Sequence, residues 1–254
     1  VDKVDYDKRQ HTVYARGREL SSAAVGAWMH AFSSHCPARR PLSVLDLGSG
    51  TGRFTPALAE TFGGPVWGVE PSDGMRGVAE RSAAGASVTY VRGSAQHIPL
   101  PDDSCDVVVL FLVLHHVPDM EQAAAEIARV LRLGGRVLIR STFSDRMPKL
   151  SWHRFFPRAA DLEREMFPVV DEVVRIFSSV GLSQLALQAL PVRLADSLAE
   201  HASQLRLRAI STFEHLTEEE IARGFAALDA AVAEEATPQP VDSTGDLLVL
   251  ESAM

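Results

Sequence analysis

Residues 44–52 read VLDLGSGTG, and no other segment restricts the fold as much. Ser43–Leu47 is a short apolar run of strand type. It leads into glycines at 48, 50 and 52, after which a helix is predicted to begin near Arg53, with Phe54, Leu58 and Phe62 on one face. Glycine turns sharply at positive φ and puts no Cβ between the backbone and a ligand. The helix start adds unpaired N–H groups and the positive end of a dipole. Pro56 is tolerated because it falls in the first helical turn. A strand, a glycine loop and a helix in this order make the cofactor-facing turn of a Rossmann-like domain.

The loop also separates two kinds of cofactor. A dinucleotide fingerprint places its third glycine three residues after the second, so that a pyrophosphate can approach closely. Here Thr55 stands at that position. The departure argues against an NAD-linked oxidoreductase. A cofactor with an amino-acid tail fits better: Asp46 suits an ammonium group, directly or through water, and the loop N–H groups suit a carboxylate. Glu70 ends the next predicted strand, where a carboxylate accepts hydrogen bonds from ribose hydroxyls.

The remaining pattern extends this unit. Residues 20–35 read as an amphipathic helix through Leu20, Ala24, Trp28 and Phe32. Strands are predicted at 66–70, 87–93, 105–116 and 136–143, with helices at 73–83 and 119–132 and a surface loop at 94–104. The run CDVVVLFLVLHH from Cys105 is too continuously apolar for a half-exposed strand and reads as a central strand buried on both faces. This alternation is that of a doubly wound α/β sheet. Beyond it come an irregular linker at 145–160, a helix at 161–180, a strand at 183–190, and helices at 193–212 and 218–235. Thr217 and Glu220 form a capping box for the last of these helices. DLLVLES, 246–252, reads as the final strand.

On these residues the chain resembles the class I S-adenosylmethionine-dependent methyltransferases of small-molecule type. VLDLGSGTG is similar to the first motif of that family, VWGVEPSDGM at 66–75 to the second, and VRGSAQHIPLPDDSCDVVVLFLVLHHV at 91–117 to the third and fourth. RVLRLGGRVLIRS at 129–141 resembles the helix and fifth strand that follow. The likeness covers about residues 40–142. It implies a Rossmann-like seven-stranded sheet of order 3-2-1-4-5-7-6, its last strand antiparallel, with a helical cap on the substrate side. It implies one methyltransferase domain over 1–254, an N-terminal helical lid at 1–36, and substrate-side insertions within 145–235. The cofactor implied is S-adenosylmethionine, with S-adenosylhomocysteine as product. The residues implied to hold it are Asp46, Gly48, Ser49, Gly50, Gly52, Glu70, Pro71, Met75, Ser94, Ala95 and Leu112, with Arg18 from the lid. Ser94 stands where the family usually has an acidic residue near the adenine amino group.

Ligands in such a sheet bind beyond the strand C-termini, where the strand order reverses. His115 and His116 therefore lie beside the methyl group, and a histidine is suited to remove a proton from a phenol or amine. A role in capping the next helix is the competing reading for either. Tyr6, Tyr14, Trp152, Arg154 and Phe156 are the candidate acceptor contacts, and each has packing of the cap as its alternative. The expected reaction is methyl transfer to oxygen or nitrogen of a small molecule, with carbon as an alternative acceptor. A non-catalytic binding protein of the same fold is a further alternative.

Composition limits the partners. The net charge of −8 offers no basic stripe for a nucleic-acid backbone, and Arg206 and Arg208 read as a solvated helix face. Two cysteines, Cys36 and Cys105, make neither a disulfide framework nor a metal cluster, so no metal is expected and a cytoplasmic setting fits. No apolar stretch approaches a membrane span, and the polar segment VDKVDYDKRQ does not read as a signal peptide. The oligomeric state is left open between monomer and homodimer.

Overall fold

The computed structural model describes residues 20–82, 87–148 and 150–252. Its centre is one seven-stranded sheet in the order β3-β2-β1-β4-β5-β7-β6. The strands are β1 (Leu42–Leu47), β2 (Gly63–Glu70), β3 (Val88–Arg92), β4 (Cys105–Phe111), β5 (Leu131–Ser141), β6 (Leu182–Ala195) and β7 (Val241–Ser252). The first five pair in parallel. β7 runs antiparallel to both β5 and β6, setting Leu248 opposite Ile139 and Val249 opposite Leu138. The order reverses between β1 and β4, which opens a crevice at their C-terminal ends.

Both faces of the sheet are covered, which explains the unbroken apolar run of β4. Val107, Val108, Val109 and Leu110 are all buried. Val108 and Leu110 pack under α4 (Met120–Val130) and α6 (Val170–Ser178), through Ile127, Val130, Val173 and Phe177. Val107 and Val109 pack under α1 (Ser22–Ser34) and α2 (Thr55–Phe62), through Phe32, Leu58 and Phe62. Full burial of each such side chain contributes roughly 1.5–3 kcal/mol. Asp119 caps α4 by accepting from the Gln122 N–H at 2.9 Å. Cys105 lies inside this core, and burial pushes its thiol up to about 11.

A third cluster forms a cap beside the sheet. It is built from α5 (Pro157–Met166), α7 (Leu198–Arg206) and α8 (Glu218–Glu234), with short 3-10 turns at Ser151–Arg154 and Ser211–His215. Its centre is aromatic. Phe156 stands edge-on to Phe213 and Phe225, each with ring centroids at 5.2 Å. The predicted capping box is formed: Thr217 accepts from the Glu220 N–H, and Glu220 accepts from the Thr217 N–H. Arg206 and Arg208 do more than face solvent. Arg206 pairs with Asp229 and lies over Phe225, and Arg208 pairs with Glu218, so both tie the end of α7 to α8.

Several boundaries depart from the sequence reading for identifiable reasons. β4 stops at Phe111 rather than His116; Leu112 turns at φ 58° and Leu114–His116 form a 3-10 turn. The helix expected over 161–180 is two helices. Pro168 lacks an N–H and cannot continue the ladder, so the chain ends α5 at Met166 and restarts at Val170. β6 continues to Ala195 because β7 begins at Val241 and pairs with it throughout. The helix expected from 193 therefore starts only at Leu198, with Ser197 accepting from the Glu200 N–H. α6 and β6 belong to the sheet and its covering layer, which interrupts the expected insertion over 145–235. α1 packs against the sheet through Trp28, Met29, Ala31 and Phe32, and Trp28 also lines the cavity between the sheet and the cap.

Candidate active site

The glycine loop packs so closely that two of its glycines admit no side chain. A Cβ on Gly48 would lie 2.5 Å from Val113, and one on Gly52 would lie 2.3 Å from the Tyr90 hydroxyl; both have positive φ. The loop N–H groups turn inward. Those of Gly48 and Ser49 donate to the Val69 carbonyl, and that of Gly52 to the Ser49 carbonyl. The Gly50 N–H donates to Glu70 Oε2 at 2.9 Å. The expectation that these groups await a carboxylate is therefore corrected for all four. Those of Gly48, Ser49 and Gly50 hold the loop against β2 and that of Gly52 closes the loop on itself, so the loop offers a shaped surface rather than an anion nest.

Glu70 is buried at the end of β2, and its Oε1 accepts from the Ser72 N–H at 2.9 Å. One carboxylate thus joins the glycine loop to the start of α3 (Asp73–Ser82). A carboxylate oxygen has two lone pairs and can accept from more than one donor. Met75, on α3, is buried, and its Cε lies 3.7 Å from the Cβ position of Gly50. Pro71 is exposed beside it. Arg92 of β3 stands in register with Glu70, and the chain then closes a small turn in which Ser94 and His97 exchange backbone hydrogen bonds. Ala95, within that turn, is buried. Asp46, Ser49, Glu70, Ser94 and Ala95 thus lie near the ends of neighbouring strands and in the turns that leave them, with Met75 on the helix that follows β2.

Asp46 is buried and accepts from Thr55 Oγ1 at 2.7 Å. Burial pushes its carboxyl up to about 6; Thr55 opposes this, Glu70 adds to it, and Arg53 opposes it. Thr55 also interacts with Tyr90, whose hydroxyl burial holds above the ordinary phenol range. Sequence reasoning misses both Tyr90 and Thr55. In the sequence Thr55 marks only a missing glycine, yet its hydroxyl anchors Asp46. The signal in Tyr90 is a large polar-tipped ring in β3, in register with Gly68 of β2.

A cavity of about 160 Å³ opens beside this cradle, between the ends of β4 and β5 and the cap. Arg53, the residue after Gly52, lines it, as do Phe111, Leu112, His115, His116 and Arg140 from the sheet side. Leu112 carries positive φ, and its N–H donates to the Arg140 carbonyl at 2.8 Å. A branched residue held in that region is strained, and such strain gathers at functional sites. The His115 and His116 rings lie 3.9 Å apart, and His115 meets Phe167 edge-on at 4.6 Å. Phe111 stacks on Phe54 at 3.8 Å, with the Arg53 and Arg140 guanidinium groups 5.6 and 5.4 Å from its ring centroid.

The cap supplies the opposite wall, and here the sequence reading is corrected. Trp152 does line the cavity, although it is also core. Phe156 does not line it: its ring fills the space over Gly224, where a Cβ would lie 2.2 Å from Phe156. Arg154 is exposed over Phe155 and is absent from the wall. Tyr6, Tyr14 and Arg18 lie outside the described residues. The wall instead carries Glu163, His201, Gln204 and Thr212. Each is hidden within a segment whose period reads only as helix or linker. The available signal is His201 inside the apolar stripe Leu198, Ala202, Leu205. Among the described residues, no group of three metal-ligating side chains comes together, and no helix is long and apolar enough to cross a membrane.

The methyltransferase domain family matches residues 45–139. An uncharacterized methyltransferase of Geobacillus kaustophilus is 32% identical over 149 residues, which cover 55% of this chain and 68% of that protein. Demethylmenaquinone methyltransferase of Lactobacillus johnsonii is 32% identical over 145 residues, covering 54% of this chain and 59% of that protein. A candidate methyltransferase from an antibiotic biosynthesis pathway of Anabaena variabilis superposes with a TM-score of 0.70 at 20% identity, over 90% of this chain and 99% of that one. At that identity the likeness speaks for the fold alone. The family match covers the segment that carries the glycine loop, Glu70 and β4; with it and the Geobacillus kaustophilus relative, the chain belongs to the class I S-adenosylmethionine-dependent methyltransferase superfamily and is a methyltransferase.

Proposed function

We propose that this enzyme uses S-adenosylmethionine to methylate a small-molecule acceptor at oxygen or nitrogen. The observation that carries the reading is one of adjacency. The cradle of Asp46, Gly50 and Glu70 at the ends of β1 and β2 runs, through Gly52 and Arg53, directly into the wall of the cavity at the end of β4.

The residues present fit the donor. Glu70 is a carboxylate suited to the ribose hydroxyls, and Pro71, Met75, Ser94 and Ala95 would hold the base. Ser49 Oγ is buried without a hydrogen-bond partner among the described residues. Asp46 is a buried carboxylate held above its ordinary range, and a nearby ammonium group returns it to the charged form. When bound, the donor supplies a methyl group on a sulfonium, already a good leaving group. The chain's task is then to position the acceptor and to exclude water. Leu112 sets the turn at the end of β4. His115 or His116 takes a proton from an acceptor oxygen or nitrogen that must lose one.

Carbon methylation is the second reading, favoured by a relative of Vibrio vulnificus, 32% identical over 128 residues, named as a ubiquinone/menaquinone biosynthesis C-methyltransferase. Calorimetry tests the donor assignment. Micromolar binding of S-adenosylhomocysteine without response to NADH supports it, and failure to bind S-adenosylhomocysteine overturns it. With an acceptor in hand, His115→Ala is expected to lower turnover and leave donor affinity nearly unchanged. Equal turnover removes His115 from the proton transfer.

A further inference from the structure

The cavity has two unlike walls. Its sheet side carries the guanidinium groups of Arg53 and Arg140, and its cap side carries a buried carboxylate. Glu163 is only 4% exposed. Its Oε1 accepts from Thr212 Oγ1 at 2.9 Å, and its Oε2 pairs with His153 Nε2 at 3.0 Å. The turns that carry His153 and Thr212 thus fix one acceptor group of α5 in the wall.

His201 stands in the same wall, is 5% exposed, and makes no hydrogen bond of good geometry from either ring nitrogen. A buried polar group left without a partner is costly, so such a group points to a ligand that completes it. Burial holds this imidazole below its ordinary value, against smaller opposing effects of Gln204 and Glu200. A neutral imidazole presents one donor and one acceptor.

We infer that Glu163 and His201 form the recognition pole of the acceptor site and select a ring-sized, mainly apolar molecule that carries a neutral hydroxyl group. The inference rests on the reading of this cavity as the acceptor's. Charge disfavours an anionic group at this pole, where it meets Glu163, and a full positive charge there shares the cavity with Arg53 and Arg140. A hydroxyl donates to the carboxylate and still accepts from the imidazole. Size sets the body of the molecule: about 160 Å³ is close to the roughly 150 Å³ apolar cavity that takes up benzene. Trp152 and Leu205 supply apolar wall around it.

The test compares phenol with toluene, and with benzylamine and benzoate, by NMR titration of the full chain. Each titration is run with and without S-adenosylhomocysteine. Phenol is expected to bind roughly tenfold or more tighter than toluene, and tighter than either charged probe. His201→Leu and Glu163→Gln are each expected to bring the phenol-to-toluene ratio to about one, with S-adenosylhomocysteine affinity unchanged. If Glu163→Gln does not fold, Thr212→Val, which removes one support of the carboxylate, is expected to lower the ratio. Equal binding of phenol and toluene to the parent chain, or a ratio unmoved in His201→Leu, overturns the inference. Failure of S-adenosylhomocysteine to bind counts against the donor assignment instead, and the ratio measured without it still decides this one.

Discussion

The glycine-loop edge of the sheet and the cap meet at one cavity but are held together by different means. In the first, backbone does the work: the N–H groups of Gly48, Ser49, Gly50 and Gly52 are all consumed in shaping the loop. In the second, side chains do it: Trp152, Phe156, Phe213 and Phe225 pack against one another, and Glu163 is pinned by His153 and Thr212. A backbone-built site tolerates few residues at few positions. A side-chain-built wall can be changed residue by residue. Under the proposed function, this difference gives a fixed donor site beside an adjustable acceptor wall.

The difference can be broken most severely at Gly52. Gly52→Val places a side chain on the Tyr90 hydroxyl in a backbone conformation that valine resists. Binding of S-adenosylhomocysteine is expected to weaken by roughly a hundredfold, read by calorimetry, while cap packing persists. Retained affinity means the loop does not touch the donor. Glu70→Ala comes next. It removes the acceptor for the Gly50 and Ser72 N–H groups and the proposed ribose partner together. A loss of about tenfold or more is expected, and an unchanged affinity takes Glu70 out of the donor site.

The same contrast governs what the amino-acid sequence discloses. Gly48, Gly52 and Glu70 are legible because the chain has one local way to make that turn, so residue type and spacing carry the geometry. The sheet order is legible through the family likeness, and the buried run of β4 through its lack of alternation. The cap wall of the cavity is not. Glu163 meets His153 across ten residues of sequence and Thr212 across 49, contacts that no periodicity encodes. Arg154 and Phe156 draw attention as functional types, yet their places are decided by how the cap closes: one goes to the surface and the other over Gly224. The pair His115–His116 does fall just past the end of β4, although the strand itself stops at Phe111.

Asp46 offers a gentler probe through pH. Its carboxyl lies at about 6 in the folded chain, above its ordinary 3.8. The folded state therefore holds a proton that the unfolded state has lost between those values. The sign follows: this group favours folding below pH 3.8, and the advantage is lost as pH rises through 6, a cost of about 3 kcal/mol at neutral pH before any ligand binds. A bound ammonium group reverses the preference. Donor-product affinity is then expected to fall by up to about tenfold between pH 7.5 and 5, and Asp46→Asn is expected to flatten the profile. A profile equally steep in that variant assigns the titration to another group.

The smallest expected effect on donor binding comes from Gly224, and it asks whether the two regions are independent. A methyl group added there meets the Phe156 ring at 2.2 Å, and the ring is enclosed by Phe213 and Phe225. Gly224→Ala must therefore displace packed aromatics rather than a mobile chain end. Overpacking of this kind costs about 1–3 kcal/mol, while the helical context of α8 returns up to about 1 kcal/mol through the better propensity of alanine. A net loss of roughly 1–2 kcal/mol in denaturant unfolding is expected, with S-adenosylhomocysteine affinity unchanged. A parallel loss of donor affinity would show that the cap's aromatic packing is transmitted to the glycine loop. The shortest route for it runs from Trp152 through the cavity to Phe111, Arg53 and the end of the loop.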